Sequence, residues 1–109
     1  MYLMVNNDLH MGKGKIAAQV GHAVQALCES ILRDKNTDAY ARYLYWSSYG
    51  AKKIVLKAKE SDLKAFKDTA ETVYIIDAGC TQIAPGSLTV IGFYPSCHNK
   101  ERMRSFKLL

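Results

Sequence analysis

The stretch His10-Met11-Gly12-Lys13-Gly14-Lys15-Ile16-Ala17-Ala18-Gln19-Val20-Gly21-His22-Ala23 decides how the chain is read, because a glycine-punctuated loop runs in it without a break into a helix. At about 100° per residue, Lys15, Gln19 and His22 fall within roughly 60° of one another, while Ile16, Val20, Ala23, Val24, Leu27 and Ile31 gather on a different arc. Such a helix carries a polar stripe beside its buried face. Ala17, Ala18 and Gly21 occupy the flank between, small enough to let a sheet approach closely. Gly14 stands where the chain enters the helix, so Lys15 falls near the first turn, where unpaired N–H groups and the helix dipole favour an anion. The helix is expected from about Gly14 to about Arg33, where Arg33-Asp34-Lys35-Asn36 breaks it.

The chain is 109 residues long, enough for one domain with a real core and too short for two. Its 49% hydrophobic and 23% charged residues exclude a disordered or collagen-like chain. A formal charge of +5 and a pI of about 9.2 favour a polyanionic partner, although surplus surface lysines also serve solubility. The three cysteines, Cys28, Cys80 and Cys97, are odd in number and widely spaced, so neither a disulfide framework nor a zinc site is indicated, and a reducing compartment fits. Met1 to Val5 is apolar but ends at once in Asn6-Asn7-Asp8, short of a signal peptide or a membrane span. The expected location is the cytoplasm.

Taken in order, Tyr2 to Val5 reads as a buried strand ended by turn residues. After the long helix, Thr37 or Asp38 caps a second one bearing Tyr40, Tyr43, Leu44, Tyr45 and Trp46, with Gly50 as its stop. These aromatics read as core or interface packing rather than a base-stacking platform. Lys52 to Lys59 is a strand around Ile54-Val55-Leu56, either a sheet strand with lysines at its rim or an edge strand protected by them. Glu60-Ser61-Asp62 opens a third helix whose buried side is Leu63, Phe66 and Ala70. Val73 to Ile76 is an apolar strand ending at Asp77, Ala84-Pro85-Gly86-Ser87 a type II turn, Leu88 to Tyr94 the last strand, and Asn99 to Phe106 a short basic helix. This alternation predicts an α/β fold whose helix-linked strands run parallel and whose last two, joined by about ten residues, pair antiparallel. Asp8 and Asp77 then lie at the carboxyl edge of the sheet beside the amino end of the long helix, and Thr89 returns to that edge with Thr81 and Gln82 in the loop between.

Two ordered blocks carry a family resemblance. Asn7-Asp8-Leu9, Met11 to Gln19 and His22-Ala23, followed by Asp77-Ala78-Gly79, Thr81 to Gly86 and Leu88 to Gly92, resemble the opening and closing signatures of the type 2 peptidyl-tRNA hydrolases of archaea and eukaryotes. Trp46 and Gly50 to Lys57 between them have the same look, and the closing Leu108-Leu109 reads as the end of a complete domain over 1–109. Asn6 departs from the family's usual Arg, His10 from its Lys, and Cys80 from a basic residue or His. The resemblance implies a three-layer α/β/α domain with a four-stranded mixed sheet. It also implies hydrolysis of the ester of peptidyl-tRNA, with Lys15, Asp77, Thr81 and Thr89 as the catalytic group and Asp8, Lys13, Gln19, His22 and Gln82 against the substrate.

An ester between a peptidyl carbonyl and a ribose needs an activated water and donors for the developing oxyanion. Asp77 suits the water and Lys15 the negative charge, with Thr81 and Thr89 positioning; the blander alternative is an Asx turn at Asp77 and an inert Lys15–Asp77 ion pair. Gly12-Lys13-Gly14-Lys15 lacks the spacing of a phosphate loop, and no nucleophile elbow is present, so nucleotide hydrolysis is not indicated. His10, His22 and His98 have no metal-ligand spacing, so no metal or other cofactor is expected. His22 reads as a hydrogen-bonded structural histidine, and a Cys80 nucleophile paired with it finds no support in its surroundings. Lys13, Lys15 and some of Lys52, Lys53, Arg102 and Arg104 are expected to meet tRNA phosphates. A homodimer remains compatible with the sequence, and the rival function is a catalytically silent RNA-binding or protein-interaction module on the same scaffold.

Overall fold

The computed structural model describes residues 1–79 and 83–109. Five strands form one mixed sheet: β1 (Tyr2–Asn6), β2 (Ile54–Ala58), β3 (Thr72–Ile76), β4 (Leu88–Phe93) and β5 (Lys107–Leu108), in the spatial order β3-β4-β1-β2-β5. β1 and β2 are parallel, with Val5 opposite Lys57 and Asn6 opposite Ala58. β4 runs antiparallel to both of its neighbours, β3 and β1. β1, β2 and β3 therefore share one direction, as expected of strands joined through helices, and their carboxyl ends define one edge. The sheet exceeds the expected four strands because the chain end folds back on β2, with Lys107 opposite Lys57 and Leu108 opposite Leu56.

Period-two alternation divides the core between the two faces of this sheet. Leu3, Val5 and Val90 point to one side, where they meet Ala23 and Leu27 of α1 (Lys13–Leu32) and half-buried Trp46 of α2 (Asp38–Ser48). Met4, Leu56, Ile91 and Phe93 point to the other and pack on Leu63 of α3 (Glu60–Phe66) and on Met103, which follows α4 (Asn99–Arg102). This is the three-layer arrangement anticipated from the alternation of elements. Each fully buried Leu, Val, Ile or Phe contributes about 1.5–3 kcal/mol relative to exposure, so the two clusters dominate stability.

Close approach of α1 to the sheet has a different origin from the one expected. Ala17, Ala18 and Gly21 are exposed, and an added Cβ at Gly21 would meet nothing. The small residue at the contact is Gly92 of β4, where a Cβ would come within 2.8 Å of Leu27 Cδ1 and 3.1 Å of Val73 Cγ2. The sheet, not the helix, supplies the gap.

Capping follows the sequence more closely. Thr37 accepts from the Tyr40 N–H at 3.0 Å and opens α2, and Gly50, at φ +96°, follows its end. α2 is held by Trp46 Nε1, which donates to the Lys52 carbonyl at 2.7 Å, and by Arg42, which donates to the Pro95 carbonyl at 2.6 Å and pairs with Glu71. α3 stops at Phe66, earlier than expected, and Ala70 is exposed beyond it. α4 is a single turn rather than a helix reaching Phe106. No helix among the described residues is long and apolar enough to cross a membrane.

Candidate active site

Asp77 leaves the carboxyl end of β3 and is 4% exposed. Its N–H donates to the Ser87 carbonyl at 2.9 Å, and its own carbonyl accepts from Gly86 at 3.1 Å, so the backbone enters and leaves the loop as a locked pair. Within that loop Gly86 has φ +81° and Ser87 N–H reaches the Ala84 carbonyl at 3.3 Å, the geometry expected of Pro then Gly in a type II turn. Gly79 is required twice over: its φ is +85°, and a Cβ would lie 2.9 Å from two side-chain carbons of Pro85.

Gly79 and Lys15 are among the groups that hold the Asp77 carboxylate. Gly79 N–H donates to Oδ2 at 3.0 Å, which is the Asx turn, and the Lys15 ammonium pairs with Oδ1. Lys15 comes from the first turn of α1, whose N-cap Gly12 offers no side-chain acceptor. The positive end of the helix dipole therefore adds to the ammonium at the same place. The pair is enclosed but reachable from one side: the Lys15 side chain keeps 13% of its surface and that of Asp77 3%. Removing a carboxylate from water is costly unless it is paired and hydrogen-bonded, and here it is both. The turn and the ion pair, the two parts of the bland alternative, are thus present together with the juxtaposition that the chemistry needs.

Thr89 supports this arrangement from beneath. The β3–β4 register shifts between Ile75 and Ile76, so that Ile75 faces Val90 and Ile76 faces Leu88, which leaves Thr89 as the extra residue of a bulge. Its hydroxyl lies 3.1 Å from the Ile75 carbonyl and 2.7 Å from Gln19 Oε1. Thr89 is fully buried, and Gln19 lies one turn along α1 from Lys15. Gln19, placed on the polar stripe by the helical wheel, is itself 6% exposed and belongs to the buried face. Replacing the hydroxyl by a methyl in Thr89→Val removes the one O–H donor that these two oxygens share and is expected to cost about 1–3 kcal/mol of stability. Urea denaturation checks this.

The remaining candidates divide. Lys13 is exposed at the start of α1, and His22 is exposed rather than the buried structural histidine expected. Asp8 has a structural partner, its Oδ2 accepting from the Glu60 N–H at 2.8 Å and capping α3. Cys80, Thr81 and Gln82 lie outside the described residues. Lys52 and Lys53 sit at the opposite edge of the sheet, because they precede β2 and the Lys52 carbonyl accepts from the Met1 amine at 3.1 Å. Arg102 lies over Phe66 and Phe93, at the far end of β4, and Arg104 pairs with Glu101. Lys52, Lys53 and Arg102 do not flank the Asp77 edge, contrary to expectation, because strand direction and not proximity in sequence decides the edge.

Asn6 emerges as a residue of the site's floor. It is 1% exposed, its Nδ2 donates to the Leu88 carbonyl at 2.9 Å, and its Oδ1 accepts from the Asp8 N–H at 3.0 Å. It ties the ends of β1 and β4 together and starts the 3₁₀ turn Asn7–Leu9, which closes at His10 with φ +50°. Read as a turn residue, it hides the signal that period-two alternation continues through it. Among the described residues, no three His, Cys, Asp or Glu side chains gather closely enough to hold a metal ion.

A buried carboxylate and a helix-terminal ammonium thus meet at the carboxyl edge of the mixed sheet of an α/β domain. The chain belongs to the family described as Peptidyl-tRNA hydrolase PTH2, which it matches over residues 1–109. It is similar to the peptidyl-tRNA hydrolase of Sulfurisphaera tokodaii, 44% identical over 103 residues that cover 88% of this chain and 84% of that protein. The peptidyl-tRNA hydrolase of Sulfolobus acidocaldarius is 41% identical over 102 residues, covering 87% and 85%, and that of Saccharolobus islandicus 40% over 107 residues, covering 91% and 88%.

Proposed function

We infer that this chain hydrolyses the ester joining a peptide to the ribose of tRNA, releasing free peptide and free tRNA. One observation carries the chemical reading: the Lys15–Asp77 pair, which unites residues 62 apart in sequence at one edge of the sheet. Asp77 orients the attacking water and takes one of its protons while the water oxygen bonds to the peptidyl carbonyl carbon. An ammonium carries three N–H donors, so Lys15 can serve Asp77 with one and meet the developing oxyanion with another. As the intermediate collapses, the bond from the carbonyl carbon to the ribose oxygen breaks and the proton held at Asp77 passes to that oxygen. Thr89, through Gln19, is a positioning residue, and Thr81 and Gln82 complete the catalytic and substrate-binding sets by the resemblance alone. Nothing found favours the silent binding module.

Hydrolysis of an N-blocked aminoacyl-tRNA by the purified protein tests the reading, and a protein that binds tRNA yet never cleaves the ester overturns it. The chemistry uses side chains only, so EDTA is expected to leave the rate unchanged; loss of activity restored by one particular divalent ion would contradict that. The expected setting is the cytoplasm, where translation supplies the substrate. A homodimer has its support in α2 and its C-cap, where Leu44, Tyr45 and Tyr49 are 46%, 68% and 73% exposed, more apolar surface than a solvated helix displays. Light scattering after size-exclusion chromatography tests it.

A further inference from the structure

Beside the site, the same sheet edge carries a groove of about 420 Å³ between the end of β2 and the start of β5, lined by Lys57, Lys59, Lys107, Ser105, Phe106 and the Asp8 turn among others. Three observations set its lysines apart. Lys57 and Lys107 are directly opposite each other in the β2–β5 register, and like charges so placed destabilise a sheet. β2 is an interior strand between β1 and β5, so protection of an exposed edge does not account for Lys57. Among the described residues, none of the three ammonium groups has an ion-pair partner. The two carboxylates of the lining accept from backbone amides, Asp8 from the Glu60 N–H at 2.8 Å and Asp62 from the Lys59 N–H at 3.1 Å, and keep their charge. The groove therefore carries three ammonium groups against two carboxylates, with Lys57 and Lys107 placed to repel each other.

The geometry points to this groove as a second subsite, holding the phosphodiester backbone of the nucleic-acid substrate upstream of the ester. The assignment rests on the hydrolase reading above. Lys15 and Asp77 mark the reacting end, and the strand order measures the separation. Neighbouring strands lie about 4.8 Å apart, so β2 and β5 stand roughly 14 and 19 Å along the edge from β3. At the roughly 2.8 Å rise per nucleotide of an A-form RNA strand, those distances correspond to about five to seven nucleotides from the esterified ribose. A short acylated oligonucleotide fills the Lys15–Asp77 end and stops before the groove. Phosphates of a full acceptor strand reach it and relieve the repulsion between Lys57 and Lys107.

The test compares two substrates and two sets of variants. K57Q/K59Q/K107Q is assayed on N-blocked aminoacyl-tRNA and on the same acyl group carried by a trinucleotide, with K52Q/K53Q, at the opposite edge, as control. On the full tRNA the triple variant is expected to raise KM about tenfold at moderate salt with kcat unchanged, and to flatten the log–log salt dependence by about 0.7–0.9 per lost contact. On the trinucleotide it should behave as wild type, and the control should match wild type on both. An equal change on both substrates, or no change on either, overturns the subsite. A thermal melt checks folding, which loss of two opposed charges should leave intact. If wild type cleaves neither substrate the hydrolase reading fails, yet filter binding of uncharged tRNA to the same variants still decides the groove.

Discussion

Asp77→Asn is expected to lower the rate of ester hydrolysis by about 10² to 10⁴ while the variant folds and binds tRNA. Asparagine tolerates the same backbone angles and can accept the Gly79 N–H that now goes to Asp77 Oδ2, so the Asx turn survives. What it cannot do is serve Gly79 and Lys15 alike, because its second atom is an amide nitrogen facing an ammonium. Losing one partner of a buried pair costs about 3–5 kcal/mol, but the Lys15 side chain retains 13% exposure and can turn to water, which brings the cost to the lower end or below. Single-turnover hydrolysis of N-blocked aminoacyl-tRNA, with a thermal melt alongside, separates chemistry from folding. A stable variant with near-wild-type rate would remove Asp77 from the reacting group and return it to the role of a turn residue.

The parts of this site that were legible in sequence are those set by short-range rules. Asp77 follows an uninterrupted apolar strand, Lys15 follows a glycine at a helix entrance, and the brief β3–β4 connection demands antiparallel pairing, which brings Thr89 back to the same edge. Burial of Gln19 was not legible, because a glutamine counts as polar on any helical wheel and its partner Thr89 stands 70 residues away. The same holds for β5, a two-residue strand with no pattern of its own, whose existence depends on pairing with β2. Gly92 illustrates a subtler limit: small residues on α1 suggested close packing, yet only the tertiary arrangement shows which partner provides the space. The placement of Lys52 and Lys53 could have been read correctly. They precede a strand parallel to β1, so they lie at its amino end, whereas Lys57 and Lys59 close the strand on the side of Asp77.

Lys15→Ala is expected to reduce turnover far more than tRNA affinity, by about 10² or more in kcat against a change of a few-fold in Kd, if its charge is used chiefly against the developing oxyanion. Lys13→Ala provides the contrast. Lys13 is exposed on the same turn, and its loss should weaken binding through a single phosphate contact, shift the salt slope by about 0.7–0.9 and leave kcat alone. The Lys15 variant also takes the ammonium away from a carboxylate that is 4% exposed, so a disturbed loop would add to the loss caused by the missing charge. The double variant Lys15→Ala/Asp77→Asn distinguishes these causes, because it removes both charges together. Its stability should recover relative to Lys15→Ala, in the manner of two residues that share one interaction. Its activity should not recover. A double variant that regains hydrolysis would mean that the pair only holds the loop in place and that the ester is cleaved by other groups at this edge.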